Sequence, residues 1–175
     1  MELYYQLGPY CDADVCRLDL LEALLEEPFF DSLRTKQQLG YSVSCGARNT
    51  YGVLGFAFQV TSSSHSVANI QAAILAFVIA VPATLRSVHK DDFLDTLASL
   101  VNEKTAPDLC LADASDVNWE EISDRRYDFA ARGRHAEMLR EELRAAGREG
   151  LAGFCCDFLL AEGRRVLSVQ VRGGG

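Results

Sequence analysis

The chain has 175 residues, 49% of them hydrophobic and 24% charged, with a formal net charge of −8. That length supports one domain with a core of its own, and that composition excludes a disordered or fibrous chain. The acidity excludes nucleic acid as the partner, because phosphates demand a net basic face.

Glu2 to Leu7 reads as a strand, stopped by Gly8-Pro9. Val15, Leu18, Leu21, Leu24 and Leu25 then recur at helical spacing, with Asp12 or Asp14 as N-cap. Pro28 cannot continue that helix without losing a hydrogen bond, so it is expected to open a second short helix reaching about Gln38. Gly40 suits the left-handed residue that ends such a helix. Tyr41, Val43 and Cys45 alternate with Ser42, Ser44 and Gly46, which is the strand period. A loop at Arg48–Gly52 leads into a return strand, Val53 to Thr61, with Leu54, Phe56, Phe58 and Val60 on one face.

Ser62–Ser66 supplies an N-cap for a helix from Val67 to about Val81, which Pro82 bends or ends. A helix opening at Asp91 or Asp92 carries Phe93, Leu94, Leu97, Leu100 and Val101 on one side. A weaker one spans about Leu111 to Ile122 and carries Trp119. Residues 134–146 read as helical and exposed, their Arg residues alternating with Glu on a solvated face. A polyanion site is the alternative for those Arg residues. Leu151, Phe154, Cys155, Phe158 and Leu159 form a clear apolar stripe. Arg165 to Val171 alternates as a closing strand, and Gly173–Gly175 reads as a frayed end.

Few strands, partly joined as a hairpin, predict an α+β two-layer domain: a mixed or antiparallel sheet with helices on one face. Residues 1–175 read as a single module, without a linker or internal repeat. The six cysteines, Cys11, Cys16, Cys45, Cys110, Cys155 and Cys156, show no zinc or redox spacing. They read as reduced thiols, and with a start that lacks a signal peptide they predict a cytoplasmic protein. The longest strongly apolar run, Ala72 to Pro82, falls short of the ~20 residues of a membrane span, so none is expected.

The stretch Glu27-Pro28-Phe29-Phe30-Asp31-Ser32-Leu33-Arg34-Thr35-Lys36-Gln37-Gln38-Leu39-Gly40-Tyr41 resembles a signature of the insulysin/pitrilysin zinc peptidases, or inverzincins. The likeness extends to the opening strand Glu2–Gln6 and to Gly46-Ala47-Arg48, Gly52, Gly55 and the strand Phe56–Ser62. It continues more diffusely through Asn118–Ile122 and Tyr127-Asp128-Phe129. Where the family commonly has Phe-Asp-Arg, this chain reads Phe129-Ala130-Ala131-Arg132, and Pro82 interrupts a helix usually drawn without one. The chain also opens inside the first strand, which makes a fragmentary or separately encoded module the expectation.

The resemblance implies the half of the enzyme that holds no metal, in its last domain-like module. It implies that Arg34 and Tyr41 hydrogen-bond the scissile backbone and support the transition state. It gives Phe30 as an apolar wall for the side chain after the cut bond. Read from the residues alone, Arg34 is a surface residue, Tyr41 a core strand residue and Phe30 a core residue like Phe29. The family's zinc motif, His-x-x-Glu-His, is absent, and His65, His89 and His135 have no His partner at ligand spacing. No metal or other cofactor is therefore expected in this chain; zinc is expected in a partner half, on the same polypeptide or a separate subunit. The function implied is that of a substrate-enclosing C-terminal domain of a zinc metalloendopeptidase acting on peptides. The alternatives are a catalytically inert scaffold or binding module and, more weakly, an independent enzyme.

Overall fold

The computed structural model describes residues 1–172, the side chain of Glu120 excepted. The triglycine end expected to fray lies outside the described residues. Four strands, β1 (Glu2–Pro9), β2 (Ser42–Thr50), β3 (Val53–Thr61) and β4 (Arg165–Val169), form one sheet in the order β2-β3-β1-β4. Every neighbouring pair is antiparallel, so the α+β layering expected is present and the sheet carries no parallel pair. The register sets Leu3 opposite Phe58, Tyr5 opposite Phe56, and Val43 opposite Val60 on one face, and all six are buried. The hairpin loop is tighter than expected. Its strands pair up to Thr50 and Val53, leaving Tyr51 and Gly52 at φ 52° and 79°. Positive φ at both central residues matches the twist of the flanking strands.

The helices are α1 (Asp12–Phe30), α2 (Val67–Ser87), α3 (Lys90–Thr105), α4 (Leu111–Ser123), α5 (Ala131–Met138) and α6 (Arg144–Cys155). π-helical turns continue α1 (Asp31–Lys36), α5 (Leu139–Leu143) and α6 (Cys156–Leu160). Pro28 does not begin a new helix: α1 runs straight through it. An interior Pro costs about 3 kcal/mol. Keeping one continuous face buries Phe29 and Leu33 completely, at roughly 1.5–3 kcal/mol each, which outweighs that cost. The same holds at Pro82, which is buried inside α2 together with Val81 and Leu85. Ser66 caps α2, its hydroxyl accepting from the Asn69 N–H at 3.3 Å.

The apolar segment is therefore longer than the run visible in the sequence. At 21 residues, with a mean hydropathy of 1.9 over its most apolar 18-residue stretch, α2 is long and apolar enough to cross a bilayer by length and composition. In this fold Ile70, Ile74, Val78, Val81 and Leu85 turn one face into the core, and Phe77 meets Phe29 at 5.0 Å between ring centres.

The region 134–146 is helical with its Arg and Glu side chains exposed as expected, but it also carries a buried side that the sequence reading did not anticipate. His135, Ala136, Leu139 and Leu143 are buried, and Gly147 at φ 62° kinks the chain into the rest of α6. Leu151, Cys155, Phe158 and Leu159 are buried as the stripe demands, with Phe158 edge-on to Tyr5 of the sheet at 6.5 Å. The two sheet edges differ. β4 is exposed throughout, whereas α1 lies along β2 and its Glu22 carboxylate accepts the Ala47 N–H at 2.8 Å. An edge amide that would otherwise offer itself to another chain is thereby satisfied.

Candidate functional site

The signature folds as a single corner between α1 and β2. Three residues after Pro28 the chain widens into the π-helical turn Asp31–Lys36, a geometry frequent at functional sites. The Gln37 N–H donates to the Ser32 carbonyl at 3.2 Å, and the Leu39 N–H reaches back to the Leu33 carbonyl at 2.9 Å. Leu33 and Leu39 are both buried and anchor the corner from beneath. The left-handed residue is Gln38, at φ 53°, and not Gly40. Gly40 is required for a different reason. A Cβ there would overlap the Thr61 carbonyl oxygen and stand 2.9 Å from Val60 Cγ1. This close approach lets the Tyr41 N–H donate to the Thr61 carbonyl at 3.0 Å, which locks the corner onto β3.

The side chains implied by the resemblance project from this corner. Arg34 is exposed, and among the described residues its guanidinium has neither a hydrogen-bond nor an ion-pair partner. Tyr41 is 65% exposed, so it is not the core strand residue that alternation alone suggests, and its hydroxyl has no partner among the described residues. Phe30 is 46% exposed, unlike its neighbour Phe29, which is wholly buried. Lys36 is spent on Asp31 at 2.7 Å, and Gln37 donates to the Ser32 hydroxyl. The corner thus holds its backbone with backbone bonds and leaves two strong donors and one aromatic ring uncommitted. Phe30, Arg34 and Tyr41 line none of the four best-formed cavities among the described residues. In this chain alone they face open solvent.

The other chemically capable groups are structural. His65 bonds Ser64, and His89 caps α3 by accepting from the Asp91 N–H. His135 is buried, with Nε2 3.1 Å from Asp12 Oδ1 and 3.4 Å from the Tyr10 hydroxyl. Its partners lie 123 and 125 residues away, so nothing in the sequence could have announced the cluster. Burial pushes Tyr10 up to about 12, with the Asp12 charge adding to it. Burial alone would raise Asp12, but hydrogen bonds from Arg134 and His135 hold its carboxyl below the usual range. Burial pushes the thiols of Cys16, Cys45 and Cys155 up to about 12, which makes them poor nucleophiles. Among the described residues no group of three or more His, Cys, Asp or Glu side chains is arranged to hold a metal ion. These residues do not fit a zinc site.

Comparison with known proteins follows the same outline. The family described as "PQQ synthase PqqF-like, C-terminal lobe domain 4" matches residues 20–119. A nardilysin-like protein of Arabidopsis thaliana is 35% identical over 144 residues, 80% of this chain and 14% of the relative. Human insulin-degrading enzyme is 27% identical over 129 residues, 74% of this chain and 13% of that protein. The chain therefore spans about one-seventh of these relatives. The crystal structure of pitrilysin superimposes on 91% of this chain and 17% of its own, with a TM-score of 0.77 at 18% identity, a likeness of fold.

Proposed function

The chain belongs to the insulysin/pitrilysin family, as part of its C-terminal half, and from that premise we propose that it is the substrate-enclosing, transition-state-supporting module of a zinc metalloendopeptidase that degrades peptides. One observation carries the reading. The signature corner is fixed by Leu33, Leu39 and the Gly40–Thr61 contact, yet it commits neither the Arg34 guanidinium nor the Tyr41 hydroxyl. Most other guanidiniums of the chain are engaged: Arg17, Arg48, Arg86, Arg126, Arg132, Arg134 and Arg140 all pair with carboxylates.

In this reading Arg34 offers a planar, permanently charged pair of N–H donors and Tyr41 an O–H donor. Both donate to the carbonyl oxygen of the scissile peptide as it gains negative charge. A donor held in place before the reaction spends no energy on reorganisation, and one such donor is worth roughly 2.7–4 kcal/mol. Phe30 packs against the side chain that follows the cut bond. A partner half, on the same polypeptide or a separate subunit, contributes zinc, the general-base Glu and the third ligand.

The test uses a complete enzyme carrying this module. Arg34→Ala and Tyr41→Phe are expected to lower kcat by about 10²-fold, with smaller changes in KM, because the bonds tighten in the transition state. Melting of the 175-residue chain is expected to shift little for either variant. Early melting with normal turnover would make both residues structural. Normal melting with normal turnover would leave the inert-module alternative.

A further inference from the structure

The sheet has two edges, and only one of them is closed. At β2 the Ala47 N–H is taken by Glu22 of α1, which lies along that strand. At β4, the other edge, all five strand residues are exposed. Among the described residues no hydrogen bond reaches the backbone of β4 from outside the sheet. The usual ways of blunting an open edge are absent as well. The ladder with β1 runs from Gln6 opposite Arg165 to Glu2 opposite Val169 without a bulge. Between Arg165 and Arg172 the run is Val166-Leu167-Ser168-Val169-Gln170-Val171, with no Pro, no Gly and no charge.

That run has the composition of a strand from the middle of a sheet. Cross-strand partners share a face. Val166 stands opposite Tyr5 on the helix side, while Leu167 and Val169 stand opposite Tyr4 and Glu2 on the other. Apolar side chains therefore project from both faces, and Leu167 is 58% exposed. On the helix side Gln170 donates to Gln71, near the start of α2, at 3.1 Å. The exposed side of that helix carries Ala68, Ala72, Ala76 and Ile79, and α2 has no charged side chain before Arg86. A lone peptide laid along β4 would satisfy the edge and leave both faces wet. A strand that belongs to a folded body covers the faces too, at about 25 cal/mol for each Å² of apolar surface removed from water.

The charges state which strand fits. Arg164, Arg165 and Arg172 flank the run with no acid between them, in a chain whose net charge is −8. Among the described residues none of the three has a carboxylate partner, and Arg164 bonds the Leu160 and Ala161 carbonyls of its own turn. A second copy of this chain, paired β4 to β4, would bring three arginines from each side to one seam. Like charges across a strand pair are destabilising, whereas opposite charges stabilise it.

We propose that the free edge of β4 pairs with an acidic edge strand of another module of the same enzyme, by strand addition. The added strand extends the sheet, and the body that carries it covers both faces of β4. The pairing presupposes that the chain is one part of a larger peptidase, but it involves neither Arg34 nor Tyr41.

Amide hydrogen exchange reads the pairing directly. In a complete enzyme carrying this module, the amides of residues 166–171 that point away from β1 are expected to exchange at least tenfold more slowly than in the isolated chain. Equal exchange in the two would overturn the proposal. Turnover plays no part in that readout, so a failure here is distinct from a failure of the catalytic reading. The isolated chain is tested with a strand probe, acetyl-Glu-Thr-Val-Thr-Val-Thr-Val-Glu-amide, followed through the amide resonances of β4. Weak but saturable shifts are expected, and the probe with Lys at both ends is expected to bind at least tenfold more weakly. The double variant Arg165→Glu with Arg172→Glu alters only exposed side chains without ion-pair partners, so its melting is expected to match wild type. Its preference is expected to reverse toward the Lys probe, because attraction at both ends becomes repulsion. No binding, equal binding of the two probes, or an unreversed preference would each overturn the proposal. Sedimentation of the isolated chain is expected to show a monomer; a dimer abolished by Leu167→Lys would assign the edge to a second copy and overturn it.

Discussion

Gly40→Ala tests the physical basis of the signature corner. The new methyl group would overlap the Thr61 carbonyl oxygen and approach Val60 Cγ1 to 2.9 Å and the Thr61 carbonyl carbon to 3.1 Å. Two of those three atoms are backbone atoms of a strand paired to β2, so no side-chain rotation relieves the contact. Overpacking of this kind costs about 1–3 kcal/mol. Replacing Gly with Ala recovers roughly 0.4–1 kcal/mol by restricting the unfolded chain. The net loss is about 1–2 kcal/mol, which at this chain length lowers Tm by about 5 °C. Urea melts of Gly40→Ala and Gly40→Asn beside the wild type measure it. A left-handed cap would tolerate Asn better than Ala, whereas a steric contact penalises the larger Asn at least as much. A variant as stable as wild type, or an Asn variant more stable than the Ala variant, would refute the close-approach argument. In a complete enzyme Gly40→Ala is also expected to lower kcat, because moving the corner misplaces Arg34 and Tyr41 together.

Further outcomes follow from the same structure. Glu22→Ala leaves the Ala47 edge amide without its acceptor and is expected to cost about 1 kcal/mol and to raise concentration-dependent aggregation, measured by melting and light scattering. Glu22→Gln keeps an acceptor and is expected to behave as wild type. Asp12 titrates below its unfolded value, so its stabilisation is present above the unfolded pKa near 3.8 and is lost as pH falls through the lower folded value. Melts from pH 6 down to pH 2 are expected to show that loss in wild type and to show less of it in Asp12→Asn, which starts about 1–2 kcal/mol less stable at neutral pH. Thiol titration of the native chain is expected to label exposed Cys11 and Cys110 at once and buried Cys16, Cys45 and Cys155 only after unfolding; rapid labelling of all five would contradict the packing.

The sequence alone determined what depends on local chemistry and period. Alternation in Val53–Thr61 specified a strand with Leu54, Phe56, Phe58 and Val60 on the core face, and the stripe from Leu151 to Leu159 specified a helical face, because each pattern has only one backbone that buries it. The resemblance carried by the signature named Arg34, Tyr41 and Phe30 as candidates, whereas alternation by itself would have buried Tyr41, which is exposed. Tertiary packing decided the rest. Pro28 and Pro82 stay inside helices because the buried faces on both sides outweigh a lost hydrogen bond, a balance invisible until the partners of Phe29, Leu33 and Leu85 are known. The role of Gly40 belongs to Thr61, 21 residues away, so local φ preference pointed to the wrong reason for the right residue. His135 and Leu139 look like part of a charged surface helix until Asp12 and the core arrive beside them.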